Sequence, residues 1–252
     1  MNGYAPFLRA EWRDLAILNF EIEQVALETL VPRGLELDPL QGRHYISIIG
    51  FRFVNTRVLG VPIPFHRDFD EVNFRFYVRR RAAEGWRHGV VFIKELVPRR
   101  LIAFAARVLY NEPYVALPMR HRFEHGEANG VQVRFLTYAW TLRGRENRVS
   151  LTSPMSLSPT REGSDAAFFA ERYWGYSVRR DGTVLEYHVE RPRWSVAAAC
   201  EAQLACDVAA VYGTRFVQAL GVPPASAFFA AGSEVTLSRG IALSANGPAA
   251  TK

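Results

Sequence analysis

The sequence predicts an α+β chain made mostly of antiparallel strands, arranged as a barrel or a sandwich. Three observations carry this. Short runs rich in Val, Ile, Phe and Tyr recur along the whole chain, several with strict two-residue alternation, while helical patterns are few. The strands lack the regular helical spacers of a parallel βα fold, and no glycine-rich phosphate loop, His-Glu zinc motif or nucleophile elbow interrupts them. The 252 residues are 49% hydrophobic and 22% charged, enough for a full core without disulfide or metal staples. No repeat, low-complexity tract or long linker divides them, so residues 1–252 are expected to form one domain with its core over about 7–240.

Residues 14–20 read as a first strand and 22–31 as a helix, with Ile22, Val25, Ala26 and Leu30 on one face and Pro32–Arg33–Gly34 as its stop. Residues 45–54 alternate, and Arg52 falls on the same side as Ile46, Ile48 and Val54. A loop with prolines at 62 and 64 covers 57–65. Residues 72–79 and 89–97 make a central hairpin turned at 82–85 and stopped by Pro98, which has no N–H for a ladder. Residues 99–110 carry helical spacing at Leu101, Ala105 and Val108, ended before Pro113. Strands are expected at 114–125 and 132–143, with a less regular stretch at 147–158. Ser164 caps a helix expected over 166–174. Further strands follow at 183–190 and 194–199, a helix at 207–220 closed by Gly221 and Pro223, and a last strand at 234–239. The small, polar tail 244–252 is expected to fray.

The totals exclude several functions. Cys200 and Cys206 have no matching pair elsewhere, so neither a zinc site nor a disulfide framework is indicated, and both read as small core side chains. The net charge of +6 is spread along the chain, and of 31 Lys and Arg residues only Lys94 and Lys252 are lysine, which does not make a phosphate-tracking stripe. Arg79–Arg80–Arg81 at the hairpin tip reads as solvated surface, and no nucleic-acid partner is expected. No signal peptide and no membrane-length apolar run is present, so a cytoplasmic protein with no membrane partner is expected. His188 alternates with Glu186 and Glu190 along one strand, and His121 and His125 are not on a helix; neither set has metal-ligand spacing, and no metal or cofactor is expected. Tyr173, Trp174 and Tyr176 read either as core or as a pocket wall.

The segments RAEWRDLAILNFEI, VPRGLELD, FHRDFDEVNFRFYV, FIKELVPRR, ARVLYNEPYVALPMRH, ERYWGY, LEYHVERPRW and CDVAAVYGTRF resemble the YqjF-like family of uncharacterised bacterial proteins, from about residue 7 to 239. That family is similar to the acetoacetate-decarboxylase-like superfamily, which implies a cone-shaped antiparallel β-barrel with an internal pocket and a few packed helices. The resemblance implies a pocket arginine at Arg13, in Arg13–Asp14–Leu15, and a pocket glutamate at Glu71, in FDEVNF. The decarboxylases place their reactive lysine at the end of a Gly-Arg-Glu-Leu-Trp-Gly-x-Pro-Lys pattern. Here 106–113 matches that frame, with Arg107 at its arginine, but the next residue is Tyr114. Tyrosine cannot form an imine. Lys94 is followed by Glu95, which would hold it charged, against nucleophilicity, if the two pair across a bend; the plainer reading is a strand residue pair at a sheet rim.

Two readings follow. In the first, a pocket takes a small organic acid through Arg13, Arg52 and Arg107, and Glu71 and Tyr114 move protons in a lyase, hydratase or isomerase without an imine. In the second, the barrel only binds or senses a small molecule. Oligomeric state and ligand identity are not written in the sequence.

Overall fold

The computed structural model describes residues 4–63, 67–99 and 113–243. In chain order the strands are β1 (Pro6–Ile22), β2 (Glu36–Leu37), β3 (His44–Val58), β4 (Val61–Pro62), β5 (Phe69–Ala82), β6 (Gly85–Val97), β7 (Tyr114–Ala116), β8 (Met119–Ala128), β9 (Val131–Leu142), β10 (Arg145–Pro154), β11 (Ser158–Pro159), β12 (Trp174–Val178), β13 (Val184–Glu190), β14 (Ser195–Ala198), β15 (Glu201–Ala205), β16 (Ser226–Ser238) and β17 (Ile241–Ala242). The described helices are short: α1 (Val25–Glu28), α2 (Asp165–Ala170), α3 (Val208–Val211), a 3-10 turn at Thr214–Phe216, and α4 (Val217–Leu220).

Seven strands form a ring, each hydrogen-bonded to the next in the order β1, β3, β5, β6, β12, β13, β16 and back to β1. The ring is antiparallel except where β12 runs parallel to β6. It closes unevenly, because β13 meets β16 over only Val189–Leu237 and Glu190–Thr236; it is an approximate barrel. A second, four-stranded sheet, in the order β15, β10, β9, β8, packs against its outside.

The two-residue period of the strands sorts side chains into these two spaces. Ala16, Leu18 and Phe20 of β1, Ile46 and Ile48 of β3, and Val72, Phe74 and Phe76 of β5 face outward and form the main core with Leu136, Tyr138 and Trp140 of β9. Leu15 and Ile17, then Ile49, Phe51 and Phe53, face inward and form a second cluster with Trp194. Helix α2 plugs one end of the ring: Phe169 is 1% exposed and meets Tyr45 and Tyr77 edge-on at 5.2 and 5.5 Å. Ser164 Oγ accepts from Ala167 N at 3.2 Å, so the expected cap is formed.

Several expected elements differ. The helix expected at 22–31 shrinks to Val25–Glu28, because β1 runs on to Ile22 and buries that side chain in the main core. The helix expected at 166–174 ends at Ala170, since Trp174 is drawn into parallel pairing with Gly89. The helix expected at 207–220 is broken at Gly213, whose φ of 106° lies outside the helical region. The strand expected at 114–125 is interrupted at Leu117–Pro118, and 147–158 holds the regular strand β10. Cys200 is exposed and so is not a core residue, whereas Cys206 is half-buried and packs against the main core. Most of the helix expected at 99–110, the loop proline at 64 and the tail 244–252 lie outside the described residues.

At the tip of the central hairpin, charge holds the ring together. Glu186 on β13 is fully buried and accepts from Arg80 Nε at 2.7 Å, Arg87 Nη1 at 2.5 Å and Tyr4 Oη at 2.5 Å. The arginines read as solvated surface therefore include one, Arg80, that pairs with a buried carboxylate. Burial alone would raise the Glu186 carboxyl, but the hydrogen bonds from Arg80 and Tyr4 and the Arg80 charge outweigh it and hold it below the usual value of 4.5. A carboxyl lowered on folding adds stability that is fully present above its unfolded value and is lost as pH falls through its folded one. We therefore expect Glu186→Gln to melt well below wild type at pH 7, with the gap narrowing from about pH 4.5 downward. Thermal melts from pH 3 to 7 check this; a gap independent of pH would contradict it.

Candidate active site

Inside the ring lies a cavity of about 50 Å³. Its wall is mostly aromatic, from Trp12, Phe51, Phe92, Trp174, Tyr187 and Trp194, with a polar group made by Glu71, Asn73, Arg75, Glu95 and Tyr114. Glu71, Asn73 and Arg75 are alternate residues of β5, so the pleat turns all three inward. Asn73 lies opposite Ile49 on one side and Glu95 on the other, and Glu95 lies opposite Tyr114 on the short parallel strand β7. Glu71 and Glu95 are each 2% exposed. Tyr114 Oη donates to Glu71 Oε2 at 3.2 Å.

A bulge decides which of Lys94 and Glu95 enters the cavity. Arg75 pairs with Phe92 while Phe74 pairs with Lys94, so Ile93 is an extra residue in β6. Before it, Val90 and Phe92 face inward; after it, Glu95 does, and Lys94 turns outward, where its Nζ donates to Val211 O at the end of α3. Burial pulls the Lys94 ammonium below its ordinary value. The expected rim pair of Lys94 with Glu95 is absent, because the two side chains leave opposite faces of the strand.

Arg172, two residues past helix α2, lines the cavity, and three arginines converge on the last carbonyls of that helix. Arg172 Nε donates to Phe168 O at 2.6 Å, Arg75 Nη2 to Phe169 O at 2.9 Å, and Arg191 Nη2 to Ala170 O. These are carbonyls that a helix end leaves without intrahelical partners. Arg172 is also paired with Asp38 at 2.5 Å, and Asp38 accepts from His88 at 2.7 Å. Arg191 lies 3.7 Å from Glu171 and stacks on Trp194. Burial pulls the Arg172 guanidinium below its ordinary value, and pushes Arg191 down to about 10.

Of the residues singled out in the sequence, Glu71 and Tyr114 meet on the cavity wall. Arg13 and Arg52 do not line it. Asp14 has a φ of 56° within a register shift of β1 against β3. Beside it, Arg13 bonds Glu11 at 2.6 Å, and Arg52 bonds Asp14 at 2.5 Å and covers the Phe123 ring. Arg107 lies outside the described residues. Trp174 lines the cavity, whereas Tyr176 is buried in the main core. Arg75, Asn73 and Arg172 are not singled out in the sequence, and Glu95 only as the neighbour of Lys94. The polar residues at 73 and 75 in the otherwise apolar run 72–78 were the legible signal for the first two. Among the described residues no group of three His, Cys, Asp or Glu side chains is placed to hold a metal, and no helix is long and apolar enough to cross a membrane.

Residues 9–234 match the model of DUF2071, described as an uncharacterized conserved protein. The chain belongs to this family. A relative of the DUF2071 chain, the uncharacterized protein YqjF of Bacillus subtilis (strain 168), is 30% identical over 131 residues, 52% of this chain and 50% of that protein. The match thus spans about half the length of the curated relative. Solved structures similar to the DUF2071 chain include acetoacetate decarboxylase from Legionella pneumophila, with a TM-score of 0.64 at 14% identity over 96% of this chain and 90% of that one. An acetoacetate decarboxylase-like enzyme from Sphingomonas wittichii RW1 gives 0.65 at 12% over 94% and 93%. The enduracididine biosynthesis enzyme MppR, solved with pyruvate, gives 0.63 at 12% over 95% and 91%. At these identities the likeness establishes the acetoacetate-decarboxylase-like fold.

Proposed function

We propose that the ring cavity binds a small organic acid and that Glu71 and Tyr114 move a proton on it, without a covalent imine. The Tyr114–Glu71 hydrogen bond of 3.2 Å on the cavity wall carries this reading. It joins a carboxylate able to take a proton to a phenol able to donate to an oxygen where charge develops. The reaction class is lyase, hydratase or isomerase. An imine needs an amine, and the lysine among the described residues, Lys94, faces away from the cavity. The volume of about 50 Å³ is room for roughly three to five waters, which suits a short acid. Trp12 Nε1 and Asn73 Oδ1 are buried without a hydrogen-bond partner among the described residues, and such groups favour a polar occupant. The pyruvate bound to MppR supports the same ligand class.

A second reading, a domain that binds and does not turn over, is favoured by the small size and aromatic walls of the cavity. A thermal-shift screen against short carboxylic and oxo acids tests both. An acid at 100 times its Kd adds about 2.7 kcal/mol, a shift of roughly 5–10 °C for a chain of this length. No shift with any acid would sink the organic-acid reading. A shift with no conversion of the bound acid would leave the binding domain as the function.

A further inference from the structure

We propose that Arg75 is the anchor for the ligand's carboxylate, so that the acid lies with its carboxylate toward helix α2 and its reacting carbon toward Glu71 and Tyr114. This rests on the reading of the cavity as an organic-acid site and adds its anion subsite and the direction in which the acid enters it. The three arginines at the end of α2 are not equivalent. Arg172 is neutralised by Asp38 and Arg191 faces Glu171. Arg75 forms no ion pair with a carboxylate among the described residues; its contacts are Phe169 O and the Tyr77 ring, 5.6 Å from its guanidinium carbon. Its Nε is buried and has no hydrogen-bond partner there. A guanidinium N–H shut off from water without an acceptor is destabilising, and the cost is recovered when a carboxylate arrives.

Geometry explains why this arginine, and not one of its neighbours, is left for a ligand. Arg75 and Glu71 both line the cavity from β5, four residues and about 13 Å of strand apart at the backbone, so only their side chains can reach one short acid. The Phe169 carbonyl takes one N–H of Nη2, and the buried Nε–H, without a hydrogen-bond partner among the described residues, is the other donor of the edge that takes a carboxylate bidentately. Arg172 and Arg191 are each held by a carboxylate of their own, which keeps them from competing for the ligand.

The test compares acetate, pyruvate and acetoacetate with the primary amides of the same acids, by calorimetry on wild type and Arg75→Gln. The acid that binds wild type should lose roughly 10- to 150-fold in affinity in Arg75→Gln. The matching amide should bind both proteins alike. Equal acid binding by both proteins would overturn the anchor and leave the organic-acid site standing. Equal loss of acid and amide would mean a deformed cavity and would also overturn it. Failure of every acid to bind wild type would overturn both. A measurement on the wild-type protein covers the case in which the variant does not fold: phenylglyoxal modification mapped by mass spectrometry should be slowed at Arg75 by the acid and not by its amide, and equal labelling with either would overturn the anchor.

Discussion

Glu71→Gln should lower turnover of the bound acid by about 10²- to 10⁴-fold while leaving its affinity close to wild type, because the substitution removes a proton acceptor and keeps the shape of the side chain. Glutamine has nearly the same shape, and its amide oxygen still accepts from Tyr114 Oη, now 3.2 Å from Glu71 Oε2. Glu71 is 2% exposed, so a replacement that keeps this bond disturbs packing little. Steady-state rates and calorimetry on the same preparation separate the two quantities. A variant that keeps its rate removes Glu71 from the chemistry, and one that loses affinity and rate in the same proportion makes it a binding residue.

Gly232→Ala should be among the most destabilising single methyl additions in the chain. Gly232 on β16 lies opposite Arg13 with a φ of 80°, and a Cβ there would sit 1.8 Å from the Trp12 carbonyl oxygen and 2.9 Å from Leu15 Cδ1. The left-handed conformation alone costs an L-residue about 1–2 kcal/mol. The collision is with backbone, which cannot turn aside as a side-chain tip can, and overpacking of this kind adds about 1–3 kcal/mol. The sum is about 2–5 kcal/mol, or roughly 4–20 °C in Tm. Gly34 is the control: its φ is 84° and nothing lies within 4 Å of its added Cβ, so Gly34→Ala should show the conformational cost alone. If the two variants melt together, the close approach of β16 to β1 is not as described. The same contact bears on the cavity, since Trp12 and Leu15 both line it.

Alternation made much of the fold legible. The runs 45–54, 72–79 and 132–143 are strands with inner and outer faces as their patterns imply, and the hairpin turn lies where Ala82–Gly85 predicts it. What the sequence hid were interruptions of the alternation and contacts made at long range. The charged start of β1, with Arg9, Glu11, Arg13 and Asp14, masks a strand that begins at Pro6. Arg13 reads as a pocket residue, yet beside the irregularity at Asp14 it bonds Glu11 instead. Helix α2 ends early because Trp174 is recruited by β6, some 85 residues earlier in the chain, and no local propensity reports that. The cavity was legible in part: Glu71 and Tyr114 came from resemblance. Arg75 could have been read from its spacing to Glu71, whereas the pairing of Arg172 with Asp38 joins residues 134 apart.

The extra residue in β6 also governs how relatives should be aligned. Position 93 is where strand pairing takes up one residue without changing which way the following side chains point. A relative that lacks it, by a gap of one there, keeps a glutamate at position 95 in the cavity. A relative of full length whose strand runs without the irregularity is displaced by half a pleat period, and a lysine aligned with Lys94 then enters the cavity while the residue aligned with Glu95 is turned into the apolar layer beneath the second sheet. Identity in an alignment column beyond this point therefore does not mean identity of place, and counting along the ladder from Arg75 is what assigns it.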